Sequence, residues 1–347
     1  MDLYVNGHNI FIIVLVTFLF TLLLVPVVRK MAIHVGSFDK PNKRRVNKSP
    51  MPTMGGLAIF FSFMLGYMLY AQTMTLMLPI LMGSILIVII GIIDGINPVK
   101  AKYKLIVELI AACIIVFYGN IYIDEVTIFG LNFELPMIVG TAFSIVFIVA
   151  ITNAINLIDG LDGLASGISA IYFLTISIIA FILNQAGGLD ITLALIMLGA
   201  TLGFLAHNFP PAKIYLGDTG SLFLGFIIAI ISLLGLKTVT ITSLVIPILI
   251  LAIPILDTLF AIFRRLLKRE KLSTPDKEHL HHQLFKISGS QTKAVLLIYL
   301  IDILFASVSV FYVLGESKYA AIIYLLLIMI FLLLITKTNI LFRNKKK

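Results

Sequence analysis

The sequence predicts an all-α integral membrane protein of about eleven transmembrane helices, N-terminus outside, C-terminus cytoplasmic, with one short external hairpin. Three observations carry this expectation. Hydrophobic residues make up 60% of the 347 and charged residues only 12%, too little polar surface to cover a soluble domain of that size. Apolar stretches long enough to cross roughly 30 Å of hydrocarbon recur from end to end. Basic residues concentrate in alternate loops, as the positive-inside rule requires.

The expected spans lie near 10–28, 55–71, 76–93, 103–118, 137–154, 163–183, 191–207, 220–236, 241–263, 294–313 and 319–336. An odd number puts the termini on opposite sides. With the N-terminus outside, segments 29–54, 94–104, 155–162, 208–219, 264–293 and the tail after 336 are cytoplasmic. They carry 24 of the 26 Lys and Arg residues, leaving Lys237 and Lys318 outside. The net charge of +9 therefore reads as a topogenic signal, and nucleic acid is not an expected partner. Residues 1–347 form one polytopic domain whose chemistry sits in the cytoplasmic loops.

The first apolar run is expected to stay as a span. It lacks a basic segment before it, and Arg29 and Lys30 follow it instead. Residues 119–136 alternate apolar and polar around Gly130, the pattern of a short hairpin. The single cysteine, Cys113, excludes a disulfide framework and a cysteine-based zinc site. No internal repeat is evident, which weakens a transporter built from paired halves.

Five polar segments stand out. Asn153-Ala-Ile-Asn156-Leu-Ile-Asp159-Gly-Leu-Asp162-Gly-Leu-Ala-Ser-Gly167 places two amides and two carboxylates where one span ends and the next begins. Ionisable groups at that depth are expensive, and their oxygens are hard ligands suited to Mg²⁺; the plainer reading is a capped polar turn. Asn208-Phe-Pro-Pro-Ala-Lys-Ile-Tyr-Leu-Gly217-Asp218-Thr219-Gly220-Ser221 opens another span. The free N–H groups of that helix favour a phosphate, so Asp218 beside them suggests a bridging cation; the alternative is a simple N-cap.

Asp94-Gly95 closes the third span, followed by Lys100, Lys102 and Lys104. Asp94 is a candidate general base and Lys104 a candidate phosphate contact, while Lys100 and Lys102 read as snorkelling side chains. The longest internal loop holds His279-Leu280-His281-His282-Gln283. Zinc is possible there, but i, i+2, i+3 spacing does not put three imidazoles on one helical face, and phosphate or sugar binding is preferred. Asp257, within the ninth span, is expected to orient this region. The first loop, Asp39 to Gly56, is a basic run suited to anionic lipid, with Lys48 as a candidate for a specific role.

In this order, the five segments resemble the polyprenyl-phosphate N-acetylhexosamine-1-phosphate transferases over about Asp39 to Gly289. The His279-Leu280-His281-His282 run resembles the branch that transfers GlcNAc-1-phosphate, with a teichoic-acid initiator as the nearest type. The resemblance implies that undecaprenyl phosphate attacks the β-phosphate of UDP-GlcNAc, releasing UMP, at the cytoplasmic face of a bacterial plasma membrane. It implies Mg²⁺ or Mn²⁺ ligated by Asn156 and Asp218, a nucleoside contact at Asp162, and Asp159 in support. Asp94 would be the base or position the lipid phosphate. Lys48, Lys104, Asn208, His279, His281 and His282 would lie on the substrate side. It leaves room for a homodimer.

Three positions depart from the family pattern. Gly95 stands where a second aspartate commonly follows the first, Asn47 replaces a usual histidine and Gln283 a frequent arginine. The competing expectations are a UDP-MurNAc-pentapeptide phosphotransferase, a cation-coupled transporter, and an inactive membrane partner that keeps the fold.

Overall fold

The computed structural model describes residues 3–39, 50–71, 75–128, 131–183, 187–237, 245–267, 269, 279–315 and 317–337. Lys48 and Asn47 lie outside the described residues. The long helices are α1 (Ile10–His34), α2 (Gly56–Tyr70), α3 (Met77–Ile96), α4 (Ala101–Cys113), α5 (Met137–Ile158), α6 (Leu164–Ile182), α7 (Leu189–Asn208) and α8 (Gly217–Lys237). They continue as α9 (Val245–Ile250), α10 (Ala252–Leu267), α11 (Leu280–Ser288), α12 (Gln291–Val313) and α13 (Ser317–Lys337). Three two-stranded antiparallel ribbons complete the fold: β1 (Tyr4–Val5) with β2 (His8–Asn9), β3 (Phe38–Asp39) with β4 (Met51–Pro52), and β5 (Glu125–Ile128) with β6 (Leu131–Glu134). The last pair is the hairpin expected around Gly130, with Val126 opposite Phe133.

Among the described residues, the expected apolar stretches fall largely on helix. Among the described residues, seven helices are long and apolar enough to cross a membrane, and α2 and part of α13 are shorter apolar segments. The protein is therefore a multi-pass membrane protein. Two expected crossings differ in form. The stretch 103–118 is α4 continued by a five-residue π-helical turn, Ile114–Tyr118. The stretch 241–263 breaks at Leu251 into α9 and α10, because Pro254 has no N–H to offer the carbonyl of Ile250. Helix α11 is an addition, nine residues within the longest loop, closed by Gly289 at φ 65°.

Helix α8 is the axis of the bundle. From Thr219 to Leu234 its described apolar residues are buried on every side, packed by α2, α3, α5, α6 and α7. Apolar character all round also suits a lipid-facing helix such as α1, but α8 is enclosed by protein, and inside a bilayer its neighbours must approach through small residues. They do. A Cβ on Gly56 would stand 2.1 Å from Cα of Gly220, and one on Gly91 would stand 2.4 Å from Cα of Thr219. The same device joins α1 to α7, where Gly199 faces Thr17 and Gly203 meets the carbonyl of Phe18. The close crossings of α2 and α3 fall at the first turn of α8, so they draw the polar helix ends of the neighbours around Asp218.

Candidate active site

Helix α8 begins at Gly217, whose φ of 68° suits glycine and whose missing Cβ leaves room for the Thr53 hydroxyl. Backbone bonds tie the preceding segment to the first loop: Tyr215 N–H donates to Pro52 O at 2.9 Å, and Gly55 N–H returns to Tyr215 O at 3.0 Å. The first turn of α8 is thus held from two directions before any side chain is considered.

Around it, side chains from four helices converge. Lys104 Nζ, from α4, lies 2.6 Å from Asp218 Oδ2 and 2.9 Å from Asp94 Oδ1. Asn156 Nδ2, from α5, donates to Asp218 Oδ1 at 3.2 Å and to Ser221 Oγ at 2.8 Å. Asp94 Oδ1 also accepts from Val99 N–H at 2.8 Å, shaping the turn between α3 and α4. Asp94, Lys104 and Asp218 are each about one-fifth to one-quarter exposed. The centre is therefore open to a ligand at one end of the bundle.

One turn deeper, Glu108 of α4 is 2% exposed and accepts a hydrogen bond from Asn153 Nδ2 of α5. Glu108 was missed in sequence, since one acidic residue in an apolar run carries no spacing signal.

Among the described residues, no group of three or more His, Cys, Asp or Glu is arranged to hold a metal alone. What is present is one carboxylate with both oxygens turned inward, a second beside it, and an amide whose nitrogen is engaged and whose oxygen is left. That set fits Mg²⁺, which is held by one or two carboxylates while water and substrate oxygens complete its shell. It does not fit a closed structural zinc site.

The loop after α5 receives other work than expected. Asn208, expected on the substrate side, is 3% exposed. Its oxygen accepts from Gly163 N–H at 3.0 Å and Ser166 Oγ at 2.9 Å, and its nitrogen donates to Ile214 O at 3.0 Å. Those bonds make the amide a joint between the loops before α6 and α8. Asp162 is 6% exposed and accepts from Ala212 N–H at 3.0 Å through Oδ2, reinforcing the same joint. Asp159 stays half-buried at the end of α5. Tyr299 of α12 donates to Gly163 O and anchors the loop from the far side.

The histidine run divides by burial. His279 Nδ1 lies 3.0 Å from Asp257 Oδ2, and Leu280 N–H donates to Asp257 Oδ1 at 2.9 Å. Asp257 thus orients this region, as its place in the ninth span suggested. His281 is 2% exposed, and a Cβ on Gly160 would lie 2.1 Å from its Nε2. Burial pushes the His281 imidazole from 6.5 down to about 3, against the opposing pull of the Asp257 carboxylate. A neutral, enclosed ring cannot contribute positive charge to a phosphate. The structure wedges His281, expected on the substrate side, against the Asp159-Gly160 turn. His282, its ring 4.3 Å from that of His281, is the half-exposed member of the three.

The sign of the resulting pH dependence is fixed. Above pH 6.5 both folded and unfolded His281 are neutral, and it contributes nothing to pH dependence. Below 6.5 only the unfolded chain takes the proton, so stability falls by up to about 1.4 kcal/mol per pH unit. Thermal unfolding between pH 7.5 and 5 should show a fall that His281→Gln flattens; identical slopes would contradict the buried neutral ring.

Helix α10 supplies residues that sequence reading counted only as topogenic charge. Its outward face is apolar, with Leu259, Ile262, Phe263 and Leu266 exposed. Its inward face carries Asp257, Ala261, Arg264 and Arg265, all buried, and packs on α5. Nε of Arg265 has no hydrogen-bond partner among the described residues. The signal that could have found them is the i, i+4, i+7, i+8 placement of 257, 261, 264 and 265 on one helical face.

Gly95 has a local reason. A Cβ there would stand 2.9 Å from Ser37 Oγ, with Met54 and Thr53 next, and that hydroxyl already donates to Gly95 O at 2.8 Å. Gly95→Asp is therefore expected to give no rate gain and to lower thermal stability by the loss of about one hydrogen bond, roughly 1 kcal/mol. A large gain in turnover at unchanged melting temperature would reverse this reading.

A multi-pass bundle whose central helix opens on a carboxylate, amide and ammonium centre defines a membrane-embedded site for charged substrates. The comparisons place it further. Residues 77–236 match Glycosyl transferase family 4. The chain is 42% identical to the probable undecaprenyl-phosphate N-acetylglucosaminyl 1-phosphate transferase of Bacillus subtilis, over 96% of this chain and 93% of that one. It is 33% identical to the decaprenyl-phosphate N-acetylglucosaminephosphotransferase of Mycolicibacterium smegmatis, over 79% and 74%. It is 30% identical to the undecaprenyl-phosphate alpha-N-acetylglucosaminyl 1-phosphate transferase of Escherichia coli K12, over 84% and 81%. The chain belongs to glycosyl transferase family 4, in the branch of the polyprenyl-phosphate GlcNAc-1-phosphate transferases.

Proposed function

We propose that this protein transfers GlcNAc-1-phosphate from UDP-GlcNAc to undecaprenyl phosphate, at the cytoplasmic face of the plasma membrane and with Mg²⁺, opening the synthesis of teichoic acid or a related envelope polymer. The observation that carries the reading is the Lys104 ammonium within reach of Asp94 and Asp218 at the N-terminus of the buried α8. A phosphate oxygen of the lipid attacks the β-phosphorus of the nucleotide sugar, and the bond to UMP breaks. Two anions must meet, so the chain's task is to lower their repulsion and align them.

Mg²⁺, held by Asp218 and the Asn156 amide with substrate oxygens beside them, would supply the charge that neutralises the diphosphate. The free N–H groups of the first turn of α8 favour phosphate oxygens. Lys104 contributes a mobile positive charge, and Arg265 offers a planar donor suited to phosphate. Asp94 is already engaged by Val99 and Lys104, which favours its positioning Lys104 over acting as base. A phosphate monoester is mostly ionised near neutral pH, so little proton removal is needed. The half-exposure of His282 and Asp159 supports a role for them in sugar or nucleoside contacts. The 24 Lys and Arg residues on one set of loops support the cytoplasmic orientation and the count of eleven crossings.

The test is UMP release by purified protein given UDP-GlcNAc, undecaprenyl phosphate and Mg²⁺. UMP that disappears with EDTA supports the reading; none under any metal condition refutes it. UDP-MurNAc-pentapeptide as donor is expected to give no UMP.

A further inference from the structure

Glu108 is a buried carboxylate that the reaction scheme leaves unused. It stands one turn beyond Lys104 on α4, and its partner Asn153 stands one turn before Asn156 on α5. Asn153 Nδ2 donates to both Glu108 Oε2 and Val149 O, the latter at 2.9 Å. The pair therefore forms a second polar layer directly beneath Lys104, Asp218 and Asn156. Burial opposes its negative charge, and the Asn153 hydrogen bond and the nearby Lys104 ammonium act to keep it. The hydrogen bond alone does not require an acid, because a glutamine oxygen would accept it equally well. What the carboxylate adds is charge, at a depth where charge is costly.

The formal charges of the two layers make the consequence concrete. Asp94, Glu108 and Asp218 against Lys104 leave two negative charges, which one divalent cation matches. Without Glu108 the centre would be left with one. Gly95 supplies no carboxylate here, and its neighbours Ser37, Thr53 and Met54 occupy the side toward which one would point.

We propose that Glu108 is a positioning residue of the cation site: acting through Lys104, its charge sets how firmly Asp218 holds a divalent cation. By attracting the ammonium from below, Glu108 offsets the loss when Lys104 yields Asp218 Oδ2 to the metal. The inference rests on Asp218 being a metal ligand, as read above.

The experiment is Mn²⁺ binding to full-length protein in nanodiscs, read from the electron paramagnetic resonance of free Mn²⁺, for wild type, Glu108→Gln, Glu108→Asp and Asp218→Asn. Removing the charge should weaken Mn²⁺ binding by about 10- to 100-fold in Glu108→Gln. Glu108→Asp, which keeps the charge, should stay nearer wild type, and saturating Mn²⁺ should restore most UMP release by Glu108→Gln. The opposite order, with Gln like wild type and Asp weakened, would show a hydrogen-bonding role only and overturn the proposal. Should Glu108→Gln fail to fold, Glu108→Asp decides alone: near-wild-type binding supports the charge role, and a loss matching that of Asp218→Asn overturns it. If Asp218→Asn binds Mn²⁺ as wild type does, the metal reading of Asp218 fails and takes the proposal with it. That result is distinct from a failure at Glu108.

Discussion

Asp218→Asn is expected to lower UMP release by about 100- to 1,000-fold and to shift the remaining activity to higher Mg²⁺. The substitution keeps the shape of the side chain and removes its charge. Asp218 accepts from Lys104 at 2.6 Å and from Asn156 at 3.2 Å; an asparagine must turn its NH₂ toward one of those donors. Lys104 would then rest on Asp94 alone, at 2.9 Å, and the first turn of α8 would lose the carboxylate that draws a cation to the phosphate. Because Asp218 is partly exposed, the fold should survive, and an unchanged melting temperature in metal-free buffer separates lost chemistry from unfolding. Turnover within about threefold of wild type at the same Mg²⁺ would remove Asp218 from the catalytic machinery.

Gly56→Val should have the second large effect, through packing. The contact between α2 and α8 is backbone against backbone: the first added carbon would lie 2.1 Å from Gly220 Cα and 2.2 Å from Gly220 N. No flexible side chain is available to yield, so the helices must separate. Overpacking of this kind costs about 1–3 kcal/mol, occasionally more. It also moves the turn that carries Asp218, and a displacement of about 1 Å there can cost about 100-fold in rate. Melting temperature and UMP release should fall together, without the altered Mg²⁺ dependence of Asp218→Asn. Gly187→Ala, whose added carbon meets nothing within 4 Å, is the matched control and should change neither.

Much of the fold was legible because hydrocarbon is an unforgiving solvent. A span must be apolar for about 20 residues and must satisfy its own backbone, so the apolar helices and the 119–136 hairpin could be read from the residues. Asn156, Asp218, Asp94 and Lys104 stood out for the converse reason, as polar groups where polar groups are costly. The structure brings those four together, although more than 120 positions separate Asp94 from Asp218 in sequence.

Other assignments were illegible because they depend on depth. Nothing in the run His279 to His282 distinguishes a ring that meets substrate from one pressed on Gly160; that follows from the docking of α11 against the Asp159-Gly160 turn. Asn208 shows an amide in a loop in either case, and only its three hydrogen bonds reveal that it is spoken for. Arg264 and Arg265 read in sequence only as loop charge. Their second property, burial against α5, emerges only when α10 starts afresh after the break at Leu251 and turns its polar stripe inward. Glu108 needed Asn153 beside it before it meant anything.

The sequence alone therefore determined the solvent and the helices, because transfer free energies act on each segment independently. The tertiary structure decided which polar residues form the centre and which merely brace it. That choice depends on helices approaching to backbone contact at Gly56, Gly91 and Gly220, a distance that no single segment encodes.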